Sequence, residues 1–132
     1  MHPILNISVT GTDALEFLQA QLTNDLMRLD AVGEILAAWC NPKGRVIWFG
    51  SVNKTAAGYR LSAPADTAED IVKRLAMFRF RAKVDFEIVD EGQTVDPAIL
   101  VEQGHPYVGR AQMELFTPHM LNLDLLDAIS MD

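Results

Sequence analysis

Ile35-Leu36-Ala37-Ala38-Trp39-Cys40-Asn41-Pro42-Lys43-Gly44-Arg45-Val46-Ile47-Trp48-Phe49-Gly50-Ser51-Val52 decides the fold class of this chain. Ile35 to Cys40 is continuously apolar, as in a strand covered on both faces. Asn41-Pro42-Lys43-Gly44 has the composition of a type I turn, with Pro presetting φ at the second position and Gly at the fourth. Arg45 to Val52 leaves that turn rich in β-branched and aromatic residues, which suit a pleated surface. The stretch predicts a hairpin, with Trp39 and Trp48, on its facing strands, read as core.

Working outward, Gly58 closes a second turn and Tyr59 to Ala63 runs to Pro64, so the middle of the chain reads as a three-stranded meander. Upstream, Ile4 to Val9 is a first strand stopped by Gly11. Asp13, followed three residues later by Glu16, has the spacing of a capping box, and Leu15, Leu18 and Leu22 recur at helical spacing, so a helix is expected over 12–22. Thr23-Asn24-Asp25 ends it with turn formers. Downstream, Asp66 and Thr67 open a second helix with Ala68, Ile71, Val72 and Leu75 on one face. Val84, Phe86 and Ile88 alternate with Asp85 and Glu87 as a half-buried strand. The expected class is α+β: an antiparallel sheet with two helices, related to ferredoxin-like folds.

After Asp90 the texture changes. Gly92, Pro97, Gly104, Pro106, Gly109 and Pro118 leave room only for short elements, an irregular tail. Leu121, Leu123, Leu125, Leu126 and Ile129 then crowd together just before Asp132, and so apolar an ending is expected to continue into further chain.

The 132 residues suit one domain, and 49 % hydrophobic with 22 % charged residues is ordinary globular usage. A formal charge of −7 disfavours non-specific binding of nucleic acid, DNA included, by the whole surface, though not by a local basic patch. The single Cys40 excludes an internal disulfide and any multi-cysteine metal site. No apolar run approaches a membrane span, and no basic start precedes an apolar run, so a soluble cytoplasmic protein is expected.

Four stretches carry a resemblance to a known family. Gly11-Thr12-Asp13-Ala14-Leu15-Glu16-Phe17-Leu18-Gln19, with Gln21-Leu22-Thr23-Asn24-Asp25, resembles the opening helix and loop of the glycine-cleavage T-protein superfamily. Cys40-Asn41-Pro42-Lys43-Gly44-Arg45 looks like the hairpin of its YgfZ branch, and Phe78-Arg79-Phe80-Arg81-Ala82-Lys83-Val84 is similar to the segment ending that branch's second helix. Phe116 to Asp124, through Ala128-Ile129-Ser130, matches the stretch before the branch's signature motif. The resemblance implies that residues 1–90 form a T-protein-like N-terminal domain and that 91–132 are a linker and partial tail. It departs from the family in two places. The signature Lys-Gly-Cys-Tyr-x-Gly-Gln-Glu, expected directly after Asp132, is absent, and only residues 91–115 stand where the family has a domain-sized insertion.

What the family implies is a folate-binding accessory protein, arranged around a central cavity, that supports iron–sulfur enzymes and tRNA modification. Tetrahydrofolate would be the cofactor, and iron–sulfur enzymes or tRNA-modification clients the partners. Two other classes stay open: a tetrahydrofolate-dependent aminomethyltransferase, and an interaction module self-associating through the apolar tail. Aminomethyl transfer needs a carboxylate against the folate nitrogen, and the apolar Val46-Ile47-Trp48-Phe49 lacks one where the T-protein carries acidic residues.

The resemblance turns the Asn24–Asp25 loop toward the family's cavity, and the same reading extends to Asn122 and Asp124, whose amide and carboxylate suit a pterin's donor–acceptor edge. Both pairs are equally explained as turn caps. Arg79, Arg81 and Lys83, interleaved with Phe78 and Phe80, would place three cations on one side of an extended segment. Guanidinium forks there would clamp a folate glutamate tail or a tRNA phosphate; a solvated, dipole-neutralising helix end is the alternative. Cys40, beside Trp39 in an apolar strand, reads as a small hydrophobe. His2, His105 and His119 share no ligand spacing, and Asp66/Glu69 and Asp124/Asp127 read as caps and solvated charges rather than acid–base dyads.

Overall fold

The central hairpin forms as its sequence requires. A computed structural model describes residues 2–121 of the chain. Strands β2 (Glu34–Cys40) and β3 (Val46–Lys54) pair antiparallel, with Trp39 opposite Trp48, Ala38 opposite Phe49 and Ile35 opposite Val52. Asn41 organises the turn: its carbonyl accepts the Gly44 N–H (2.9 Å), and its Oδ1 accepts those of Lys43 (3.0 Å) and Arg45 (2.9 Å). Gly44 takes φ +80°, which a side chain would resist. The register slips between Trp39 and Cys40, a bulge. The adjacent Ile47 and Trp48 thereby both join the helix-side core.

The meander continues into β4 (Gly58–Pro64), which pairs with β1 (His2–Thr10); β1 in turn pairs with β5 (Asp85–Val95). The five-stranded antiparallel sheet has the order β2-β3-β4-β1-β5, a ferredoxin-like arrangement with one more strand in the meander. Helix α3 (Ala65–Met77) carries the chain from β4 over β1 to β5. It buries Ala68, Ile71 and Leu75, and full burial of the Ile71 and Leu75 side chains is worth about 1.5–3 kcal/mol each. Helix α1 (Ala14–Gln21) adds Ala14, Phe17 and Leu18 to the same core.

Three local expectations change. Asp13 makes no cap bond to its own helix, so the capping box does not form. Its Oδ2 accepts the Lys83 N–H instead (2.8 Å), while its own N–H donates to the Lys83 carbonyl (3.2 Å). The carboxylate is taken because Gly11, at φ +116°, lets β1 turn directly against residues 83–84; a Cβ there would sit 2.1 Å from the Lys83 oxygen. Secondly, a 3-10 turn at Leu26–Arg28 and a short helix α2 (Leu29–Val32) follow α1, where the sequence showed only a break. Thirdly, β5 runs on past Asp90 to Val95, so the expected boundary at residue 90 falls inside a strand. Gly92 at φ +73° absorbs the irregularity, and Val95 pairs with His2 at the far end of β1.

The opposite sheet face is covered by the segment that follows. Asp96 caps helix α4 (Pro97–Glu102) by accepting the Ala98 N–H (2.9 Å). Val108 then packs on Ala38, Val46 and Phe49 in a second apolar cluster, so β2 and β3 are covered on both sides. Backbone bonds fasten this return: Val46 N–H to the Phe116 carbonyl (2.7 Å) and Glu114 N–H to the Val46 carbonyl (2.8 Å). A charged clasp reinforces it from α3. The Asp66 carbonyl accepts Arg110 Nε (3.1 Å) and Nη2 (2.9 Å), and Arg74 Nη1 meets Glu114 Oε1 at 2.7 Å.

Candidate functional site

Asn24 and Asp25 lie where the chain leaves α1 and meets the edge of β2. Thr23 exchanges bonds with Ala38: its N–H donates to the Ala38 carbonyl (2.9 Å) and its Oγ1 accepts the Ala38 N–H (2.9 Å). Asn24, 2 % exposed, donates through Nδ2 to the Leu36 carbonyl (2.8 Å). Its Oδ1 accepts the Asp25 N–H (2.8 Å) and Arg28 Nη1 (3.2 Å). Together these groups stop the exposed strand edge from recruiting another chain. Asp25 Oδ1 accepts the Met27 N–H (3.0 Å) and Gln19 Nε2 (2.9 Å). Those two bonds, the backbone one foremost, hold its carboxyl below the ordinary value. The sequence reading missed Gln19, whose Oε1 also accepts the Leu26 N–H (2.9 Å).

The basic–aromatic segment is not extended. The Ala82 N–H donates to the Arg79 carbonyl (2.8 Å), closing a tight turn with Phe80 at φ +48°. The three cations therefore do not line one side. Arg79 Nη1 is spent on the Val84 carbonyl (3.1 Å), whereas Arg81 and Lys83 are exposed. Phe78 meets the Trp39 ring edge-on, with centroids 6.0 Å apart, and Phe80 stands 87 % exposed. Asn122 and Asp124 lie outside the described residues, as does most of the apolar tail.

Other sequence candidates take structural positions. Cys40 is half-buried in the second apolar cluster, and burial pushes its thiol up, away from thiolate chemistry. Arg45, across the turn from it, is engaged with the Leu115 carbonyl (2.8 Å). Trp48 is core, its Nε1 donating to the Ser62 carbonyl (2.8 Å). Asp66 receives Arg110, and Glu69 pairs with Lys73 in solvent. Among the described residues no group of three His, Cys, Asp or Glu could hold a metal ion, and no helix is long and apolar enough to cross a membrane.

A cavity of about 430 Å³ lies between the sheet face away from α1 and α3 and the segment from Gln93 to Val108. Its walls are mainly apolar: Ile4, Leu36, Phe49, Val95, Leu100 and Val108. Ser51, Ser62, Gln93, Thr94, His105 and Tyr107 add polar groups. Ser51 and Ser62 satisfy one another (Oγ to Oγ 2.8 Å), and buried Asn6 donates to Gln93 Oε1 (2.9 Å), fixing that side chain against the sheet. Tyr107 packs edge-on against His2, and partial burial, aided by the Asp66 charge, raises its hydroxyl pKa, so the group stays a hydrogen-bond donor. Mostly apolar walls with a few placed polar groups are the usual make-up of a small-molecule site, and the volume lies in the usual range. Neither Asn24, Asp25, Arg79 nor Arg81 lines it. The sequence signal was present but unread: Leu36, Phe49 and Ser51 fall on outward-alternating positions of the meander.

No family model matches the chain. Among curated proteins, 91 residues are 28 % identical to an iron–sulfur cluster assembly factor, the mitochondrial IBA57 homolog of Pyricularia oryzae, covering 66 % of this chain and 23 % of that protein. The tRNA-modifying protein YgfZ of Colwellia psychrerythraea is 31 % identical over 86 residues, 64 % of this chain and 26 % of its own. Among solved structures, the glycine cleavage system aminomethyltransferase T from Bartonella henselae superposes with a TM-score of 0.60 at 21 % identity, over 78 % of this chain and 30 % of that one. Over about two thirds of its length the chain is similar in sequence to these YgfZ and IBA57 proteins, and its fold is that of the T-protein. It spans less than a third of the length of the curated relatives it matches. In the chain the cavity, the β2-edge loop and the basic turn occupy three separate places. The described bonds of the loop hold α1 against the edge of β2.

Proposed function

We propose that the chain is a folate-binding, YgfZ-like accessory protein serving iron–sulfur enzymes and tRNA modification, and that the cavity on the outer sheet face receives the pterin. The observation that carries this reading is the cavity: a flat, amphipathic ring matches apolar walls interrupted by a few donors and acceptors. In this reading Phe49 and Leu36 offer surfaces for the ring faces, and Ser51, Gln93, His105 and Tyr107 supply the polar groups for its donor–acceptor edge. The YgfZ and IBA57 relatives support the accessory role, and the T-protein likeness supports the scaffold.

Tetrahydrofolate would bring one-carbon chemistry; the chain's own residues bind and orient it and keep water from the ring. No observation favours aminomethyl transfer. Val46 to Phe49 pack as core, and the described lining of the cavity contains neither Asp nor Glu against which a folate nitrogen would be set.

Calorimetric titration with tetrahydrofolate tests the reading. Saturable heat with a dissociation constant below about 1 mM is expected, and Leu100→Trp, which adds bulk to the lining, weakens it about tenfold, roughly 1.4 kcal/mol. No heat from the folded protein, or an unaffected Leu100→Trp variant, removes the cavity from the account.

A further inference from the structure

We propose that the turn from Phe78 to Lys83 is a contact site for single-stranded RNA, with the Phe80 ring as stacking platform and Arg81 and Lys83 as phosphate contacts. The inference takes its choice of RNA from the tRNA-modification reading above; folate binding stands or falls separately. Phe80 is the most exposed of the large hydrophobic side chains described, at 87 %, and its φ of +48° is a backbone state that bulky residues rarely accept. Held-out strain of this kind persists only where the surroundings over-determine it. Here they do. The turn is closed by the Ala82-to-Arg79 bond, its exit is fixed by Arg79 on the Val84 carbonyl, and both backbone groups of Lys83 are tied to Asp13. These bonds hold the turn, and the ring it presents has no aromatic partner among the described residues.

The charge pattern selects the occupant. A protein of net charge −7 repels a polyanion over most of its surface, yet Arg79, Arg81 and Lys83 concentrate three positive charges within five residues. Of the acids nearby, Asp13 is engaged by the Lys83 N–H and Asp85 opens β5. So small a patch cannot track a duplex, but it suits one splayed nucleotide: a base on the exposed ring and its flanking phosphates on two cations. Stacking is sequence-tolerant, because every base has a π-face.

Fluorescence anisotropy of a labelled, unstructured RNA 12-mer on the whole chain at low salt provides the test. Phe80→Gly removes the ring while suiting the φ of the turn, and should weaken binding at least about fivefold, the low end for loss of one stack. Phe80→Trp should bind at least as well as the parent. Arg81→Ala with Lys83→Ala should lower the salt slope by about 1.4, the value for two phosphate contacts on a single strand. Tetrahydrofolate titration of Phe80→Gly should match the parent; loss of folate binding in the parent alone would strike the cavity and leave this site untouched. The proposal is overturned if the parent shows no binding by about 0.1 mM RNA, if Phe80→Gly binds as well as the parent, or if polyglutamate of equal charge competes as effectively as RNA.

Discussion

Asn24 is short and polar, and in a loop such a residue serves equally to cap a turn or to recognise a ligand. The fold buries it and gives partners to both ends of its amide, with Nδ2 on the Leu36 carbonyl, which supports the cap. Asn24→Ala should therefore cost about 1–3 kcal/mol of unfolding free energy in urea, the penalty for stranding buried groups, and leave tetrahydrofolate affinity unchanged. Phe80 makes the opposite case: its backbone angle costs stability that its exposed ring does not recover. Phe80→Gly relieves a left-handed strain worth about 1–2 kcal/mol, partly offset by the glycine's greater unfolded-state entropy, and should leave the protein as stable or more so. A drop in melting temperature would show that the ring has a structural contact instead. Neither residue's role was legible from composition, because both depend on what lies across the sheet or across a turn.

At the scale of elements, the hairpin and both long helices were legible, since period-2 and period-3.6 patterns record which face meets the core. What escaped were features set by distant partners. Asp13 follows the capping pattern and yet serves Lys83, because Gly11 brings residues 83–84 within reach. The basic segment alternates like a strand and yet turns at Phe80. The stretch after β5 looked like a linker because its Gly and Pro residues forbid long elements, but isolated residues anchor it, among them Val108 in the apolar cluster, Arg110 on Asp66 and Glu114 on Val46 and Arg74. Arg110→Ala should loosen this strap. An exposed clasp of this type is worth about 1 kcal/mol, so hydrogen exchange at the Val46 and Glu114 amides should quicken about fivefold, with β1 and α3 unaffected. Equal protection in parent and variant would place the strap's hold in Val108, the Arg74–Glu114 pair and the Val46 backbone bonds.

For the whole molecule, the antiparallel sheet, the YgfZ-like sequence and the T-protein fold agree with one another, and the family resemblance read from four short stretches pointed to all three. The candidate site was much less legible. Sequence reasoning gathered polar residues from loops, whereas the cavity is assembled from β1 to β5 and from the strap that crosses them, residues far apart along the chain. Alternation reveals that Phe49 and Ser51 share a face but not that Leu100 and Tyr107 close over it. Tetrahydrofolate titrated into isotopically labelled protein, followed by NMR, tests that assembly most directly. Shifts confined to Leu36, Phe49, Ser51, Val95, Leu100 and Tyr107 are expected; saturating shifts centred on Asn24 and Asp25 or on Arg79 and Arg81, or none at all, would contradict it.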